Sequence, residues 1–198
     1  MLGNVKLREL IENGTIGITP QPKWPDDYGE TTVHLRVGCC LYIVPFWRRL
    51  LSLLHIRRLR WDPRQETVTE LWKRVGKKVV LKEGESIWLS PFSFVVGETL
   101  EHVRLPYEDS EGFAWRGQFT TRTANARGGV GGELSAPIIE PGTNHRITFE
   151  LHVIGPFGVR LHHGADLFNF SVGRVEGVVA KVQSRTNGQV SPIREMVV

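Results

Sequence analysis

Cysteine is nearly absent from this sequence. Cys39 and Cys40 are its only two, adjacent inside the apolar run VGCCLYIV. Two neighbouring cysteines make no disulfide framework, and with no second cysteine cluster a metal pair is not expected. A buried strand in a reducing cytosol is the natural reading. Long apolar runs are also missing. Nothing approaches the roughly 20 residues of a membrane-crossing helix, and the first ten residues, MLGNVKLREL, lack the apolar stretch of a secretory signal. The expectation is one soluble, cytoplasmic domain over residues 1–198 with no membrane partner. No internal repeat and no low-complexity segment stands out. The glycine-rich stretch 121–132 lacks the G-K-[ST] ending of a phosphate-binding Walker loop.

Glycine is plentiful instead, with 21 residues, and 11 prolines are spread along the chain, which suits many turns between short strands. The formal net charge of +4 suits an anionic ligand or nucleic acid, and is equally common in proteins that bind neither.

Residues 5–13 carry Val5, Leu7, Leu10 and Ile11 at helical spacing, with Asn4 as the expected cap and Gly14 as the stop. A strand stub follows at TIGITP, then a proline-rich loop. The β-rich run 31–44 carries Gly38 as a bulge or bend. In the segment 46–61, FWRRLLSLLHIRRLRW, Phe46, Leu50, Leu53, Leu54 and Trp61 share a helical face that Arg57 interrupts. It reads either as a basic surface for nucleic acid or lipid headgroups, or as an insertion packed on the domain with its arginines in solvent. The intruding charge favours packing. Thr67 and Glu70 form a T-x-x-E capping box closed by Gly76. From residue 78 to about 182, strands alternate with turn signals such as KEGE, EPGTN and GPFG, a pattern of sandwiches and barrels. Residues 183–198 read as an irregular tail.

Two segments suggest chemistry. TRTANARGGVGG, residues 121–132, sets Arg122 and Arg127 among small residues. Small residues admit a ligand close to the backbone, and arginine offers a planar donor fork for phosphate. The plainer alternative is a glycine-rich turn with two solvated arginines. SAPIIEPGTNHRITFELHV, residues 135–153, places Glu140 at a tight turn and Glu150 inside an apolar strand. There Ile147, Phe149 and Leu151 take one face, and Thr148, Glu150 and His152 the other. Glu150 either faces solvent or sits in a closed site where a carboxylate moves protons.

Six motifs in order resemble the dCTP deaminase branch of the dUTPase-like family. LRELIENGTIGITP resembles its N-terminal helix and first strand. TTVHLRVG resembles S-[IV]-D-[LV]-R-L-G, with His34 in place of the aspartate. LSPFSFVVGETLEHVRLP resembles L-x-P-G-E-F-x-L-x-x-T-L-E-x-[VI]-x-L-P. RTANAR stands for R-S-S-L-[AG]-R and APIIEPG for A-x-x-I-D-P-G. ITFELHVIGPFGVRLHHGADL resembles I-x-L-E-[LF]-x-N-x-G-x-x-P-[IV]-x-L-x-x-G-x-x-I.

The resemblance implies a mainly β fold, a distorted β-barrel or jelly-roll with two or three short helices. It also implies a homotrimer with sites between subunits, and conversion of dCTP to dUTP and ammonia without zinc, with Mg2+ accompanying the triphosphate. By position, Glu150 would be the general base and acid for water attack at C4. Arg127 would orient that centre, Thr123 would hold the water, and the backbone of Ala136 would fix its other side. Arg122 would contact the triphosphate, with Glu140 and Asn169 binding substrate. Departures accompany these matches. Ala124 replaces a serine, Glu140 an aspartate and Asn169 a glutamine. Thr143 stands where an aromatic is common, and the tail lacks the family's K-Y-x-x-Q signature. A non-catalytic trimeric homologue and a dUTP-hydrolysing enzyme are the alternative readings. Nucleic acid at 46–61 is the less favoured partner.

Overall fold

The computed structural model describes residues 1–53, 61–132, 137–177 and 179, with the backbone alone at 50–53. Leu54, Arg57, Ala136 and the tail 183–198, each given an expected place above, lie outside the described residues.

Helix α1 (Asn4–Glu12) leads into β1 (Gly17–Thr19) and the long strand β2 (Val33–Ile43). Helices α2 (Phe46–Leu53) and α3 (Val68–Val75) follow, then β3 (Lys77–Val80), β4 (Ser86–Leu89), β5 (Phe94–Arg104) and β6 (Ala114–Thr121). After α4 (Thr123–Arg127) come β7 (Val130–Gly131), β8 (Ile138–Ile139), β9 (Asn144–Val153), β10 (Val159–His162) and β11 (Asp166–Val175). Nine strands form one antiparallel sheet along the path β7-β9-β5-β2-β11-β6-β8, with β1 added to β5 and β3 to β2; β10 and β4 pair separately. The sheet curls into a half-barrel, the distorted barrel the sequence led us to expect. Four helices, rather than two or three, occur among the described residues. The additional one is α4, where a turn was the plainer reading. No described helix is long and apolar enough to cross a membrane.

Alternation decides which side chains enter the curl. Leu35 of β2, Val95 of β5, Phe149 and Leu151 of β9, and Phe168 and Phe170 of β11 are essentially inaccessible, and Leu7, Leu10 and Ile11 of α1 close one side of this core. Each such side chain contributes roughly 1.5–3 kcal/mol by leaving water. A second, smaller cluster lies on the outer face, where Trp72 of α3 covers Cys40, Tyr42 and Val96. Cys39 and Cys40 are both free thiols in β2.

Gly38 does mark a bulge: the β2–β5 register shifts between Val37 and Leu41. A Cβ there would come within 2.7 Å of the Glu98 and Thr99 carbonyl oxygens. The capping box of α3 is formed as expected, with Thr67 and Glu70 satisfying each other's backbone N–H groups. At α1 the cap differs by one residue. Gly3 is the N-cap, with no side-chain cap bond, and Asn4 is already helical. Gly14 stands just past the C-cap in the left-handed region, at φ +78°, which favours glycine.

At the start of helix α2, Phe46 and Trp47 are exposed, while Arg48 and Arg49, expected in solvent, hold the helix to the domain. Arg48 donates to the Arg74 carbonyl at 2.6 Å, and Arg49 to Ser90 Oγ at 2.6 Å and the Pro91 carbonyl at 3.2 Å. A guanidinium carries five donors, so it can tether a helix to oxygens of neighbouring segments.

Candidate active site

β9 carries the central carboxylate. Ile147, Phe149 and Leu151 point into the core, so Thr148, Glu150 and His152 occupy the outer face, each half-buried. Glu150 lies opposite Val96 of β5, whose side chain belongs to the outer apolar cluster under α3. The carboxylate therefore has an apolar neighbour on one side. On the other, β7 pairs with the end of β9, Val130 with Val153 and Gly131 with His152. A Cβ on Gly131 would lie 2.3 Å from the His152 ring, so glycine is what lets that ring fold over the strand edge. Nδ1 of His152 is buried with no hydrogen-bond partner, about 7 Å along the strand from Glu150 by strand rise.

Helix α4 reaches this edge through main chain alone. It ends at Arg127, and Gly128 and Gly129 then pass against Gly155. The Gly129 carbonyl accepts from the Ile154 N–H at 2.8 Å, and a Cβ on Gly129 would sit 2.5 Å from the Gly155 backbone. Thr123 opens α4 and Arg127 closes it, both exposed and both on the rim that β7 joins to β9. Arg127, Thr123 and Glu150 are thus carried by neighbouring elements, α4–β7 and β9.

Arg122 is placed differently from a solvated phosphate donor. Its guanidinium pairs with Asp166 at the start of β11. One main-chain and one side-chain bond hold the two segments together, the Arg122 N–H donating to the Leu167 carbonyl at 2.9 Å and Asn125 Nδ2 to the Asp166 carbonyl at 3.3 Å. Both side chains are about one-third exposed, at 33% and 38%, so the pair itself adds only about 0–1 kcal/mol to stability. Nδ1 of His34 lies 3.5 Å from the same Asp166 oxygen, buried and without a hydrogen bond. Burial, and secondly the Arg122 cation, push the His34 pKa below the usual imidazole value against the opposing Asp27 charge. A neutral imidazole leaves Arg122 and Asp166 to cancel each other.

Asn169 lies between His34 on β2 and Thr120 on β6, all three half-buried on the outer face. The same polar stripe continues along β11 and β6 through Ser171 and Gln118 to Arg116, where a groove of about 330 Å³ opens beside Ile138. Glu140 follows β8 near that end. It is exposed, and its carbonyl accepts from Thr143 Oγ1 at 2.8 Å in a tight turn. Thr143 thus closes the turn where an aromatic was the usual residue. From Asn144 to Glu150 the strand rises about 20 Å. Glu140, in the turn that precedes β9, and Glu150, seven residues into it, therefore stand well apart along one chain. Among the described residues no group of three or more His, Cys, Asp or Glu side chains is placed to hold a metal ion.

Two residues of this region were missed in the sequence. Asp166 had a signal, an aspartate opening the apolar strand DLFNF. The unpartnered Nδ1 of His152 had none, since its cause is the close passage of Gly131.

Comparison with known proteins extends these observations. The dCTP deaminase of Haemophilus ducreyi is 25% identical over 182 residues, covering 91% of this chain and 86% of that protein. The dUMP-forming dCTP deaminase of Corynebacterium kroppenstedtii is 28% identical over 151 residues, 76% of this chain and 69% of that one. In fold, the chain resembles the crystal structure of 2'-deoxycytidine 5'-triphosphate deaminase from Agrobacterium tumefaciens, with a TM-score of 0.60 at 14% identity. That match covers 88% of this chain and 47% of the other, so this chain spans about half its length. The dCTP deaminase-like family model matches residues 1–175, from α1 through the end of β11, and the chain belongs to that family.

Proposed function

We propose that the protein deaminates a deoxycytidine nucleotide, converting dCTP and water to dUTP and ammonia. The observation that carries this reading is Glu150, a half-buried carboxylate on the outer face of β9, beside the rim formed by α4 and β7. A base for water attack at C4 must accept one proton and return it toward the leaving nitrogen. A carboxylate flanked by Val96 and partly withdrawn from solvent suits both steps. Thr123 offers a hydroxyl to hold the water, and Arg127 a fixed positive charge to orient the carboxylate. Ala136 keeps the backbone role that the family pattern gives it. Magnesium would arrive on the substrate's phosphates, and the route needs no zinc.

The separation of Glu140 from Glu150 supports sites built between chains. Glu140, in the turn before β9, and Glu150, seven residues into it, lie far enough apart along one chain to favour a substrate site to which different subunits contribute. The proposed assembly is a homotrimer, which light scattering should report at about three times 22.4 kDa.

The test is purified protein incubated with dCTP and magnesium, with ammonia measured and nucleotides separated. Appearance of dUTP with equimolar ammonia is expected. No ammonia under these conditions would overturn the deaminase reading, and diphosphate release from dUTP without deamination would replace it with dUTP hydrolysis.

A further inference from the structure

Binding a triphosphate calls for uncompensated positive charge where the phosphates lie. The residue matched to that task, Arg122, is already engaged by Asp166. This is no chance meeting of two long side chains. The backbone of Arg122 is bonded to Leu167, the residue after Asp166, and Asn125 of α4 is bonded to the carbonyl of Asp166 itself. The carboxylate is built into the place where the guanidinium must work. His34, the imidazole beside this pair, is 3.5 Å from the same carboxylate oxygen and half-buried. Ala124, on the exposed side of α4, offers no hydroxyl to a phosphate.

Resting on the deaminase reading, we infer that Asp166 sets the phosphate-charge preference of this site, so that deoxycytidine nucleotides with few phosphates are accepted nearly as well as the triphosphate. Asp166 repels a bound phosphate chain and at the same time neutralises the arginine that would attract it. Both effects grow with the number of phosphate charges near Arg122, so the penalty is graded from dCTP to dCDP to dCMP and absent for deoxycytidine.

The experiment compares kcat/KM for deoxycytidine, dCMP, dCDP and dCTP at fixed free magnesium, in the wild type and in Asp166→Asn. Calorimetric Kd values for dCMP and dCTP are measured alongside. The asparagine keeps the side chain's shape and an oxygen for Arg122, and a thermal melt confirms folding. The wild type should process dCMP within about tenfold of dCTP. Asp166→Asn should raise kcat/KM for dCTP by about tenfold, mostly through KM, with a smaller gain for dCDP, little for dCMP and none for deoxycytidine. An equal change for all four substrates would make Asp166 a purely structural residue and overturn the inference. A selective loss of dCTP use would overturn it too, by making the carboxylate a partner of the magnesium–triphosphate. If no substrate is deaminated, the deaminase reading fails alone, and the ratio of the two Kd values still decides the role of Asp166. Absence of binding to either nucleotide would overturn both.

Discussion

On the inner face of β9, Ile147, Phe149 and Leu151 are sealed in the core. On the outer face, Thr148, Glu150 and His152 keep part of their surface. The two sets alternate along one strand, so a single residue step separates a side chain sealed in the core from one that keeps part of its surface.

The largest expected effect tests that division directly. Phe149→Ala should destabilise the fold by about 3–5 kcal/mol in urea denaturation, because a fully buried ring leaves a cavity among Leu41, Gly97 and Phe168. Glu150→Gln should leave the melting temperature close to that of the wild type while turnover falls by at least ~10²–10⁴-fold. Full activity in that variant would move the proton-transfer centre elsewhere. A large loss of stability would show that the outer face is structural after all.

Next in size is a polar group that breaks the division. Glu101 is buried to 1% and accepts from the Arg36 backbone N–H at 2.8 Å and from its Nε at 2.6 Å. Arg36→Leu leaves that carboxylate with only the backbone bond. The expected cost is about 3 kcal/mol, the low end for a buried pair because one donor survives, and chemical denaturation would measure it.

A smaller effect is expected at Gly131→Ala. The added Cβ meets the His152 ring at 2.3 Å, and the ring must turn away. Activity should fall by about tenfold, with a stability change under about 1 kcal/mol, since the ring moves on the outer face. Equal activity would remove His152 from the neighbourhood of the reaction.

The smallest effect concerns acid. Burial, and then the charge of His102, lower the His145 pKa, and burial does the same for His34. An imidazole whose folded pKa lies below 6.5 binds fewer protons in the native state than in the unfolded one. Stability is therefore fully present above about pH 6.5 and declines as pH falls from there through the lowered pKa values. Denaturation curves across this range should show the decline, and His145→Gln should flatten it.

Much of the fold was legible because period-2 alternation survives in long strands. ITFELHV and DLFNFSV place each side chain on its face without ambiguity. Gly38 and the Thr67–Glu70 box were legible for local reasons, one steric and one hydrogen-bonded. Helix α4 was not, since TANAR is a single turn whose helical state depends on the glycines that dock it against β9. The engagement of Arg48 and Arg49 in α2 was not legible, because the wheel leaves arginine in solvent, whereas both donate to oxygens of neighbouring segments here. The candidate site was legible at Glu150, where strand phase alone positions the residue. It was not legible at Arg122, because Asp166 reaches it from 44 residues further along the chain.

The passage of Gly129 against Gly155 has a consequence for how this protein can vary. That seam is backbone against backbone, with no side chain to trim or enlarge, and Gly129 holds φ at +78°. The nearest atoms across it are main chain on both sides, so the seam itself contributes no titrating group. A substitution at Gly129 cannot be absorbed by repacking a neighbour. It would have to be matched by a shift of the whole 154–158 turn, so the two segments are free to drift in sequence only as a unit.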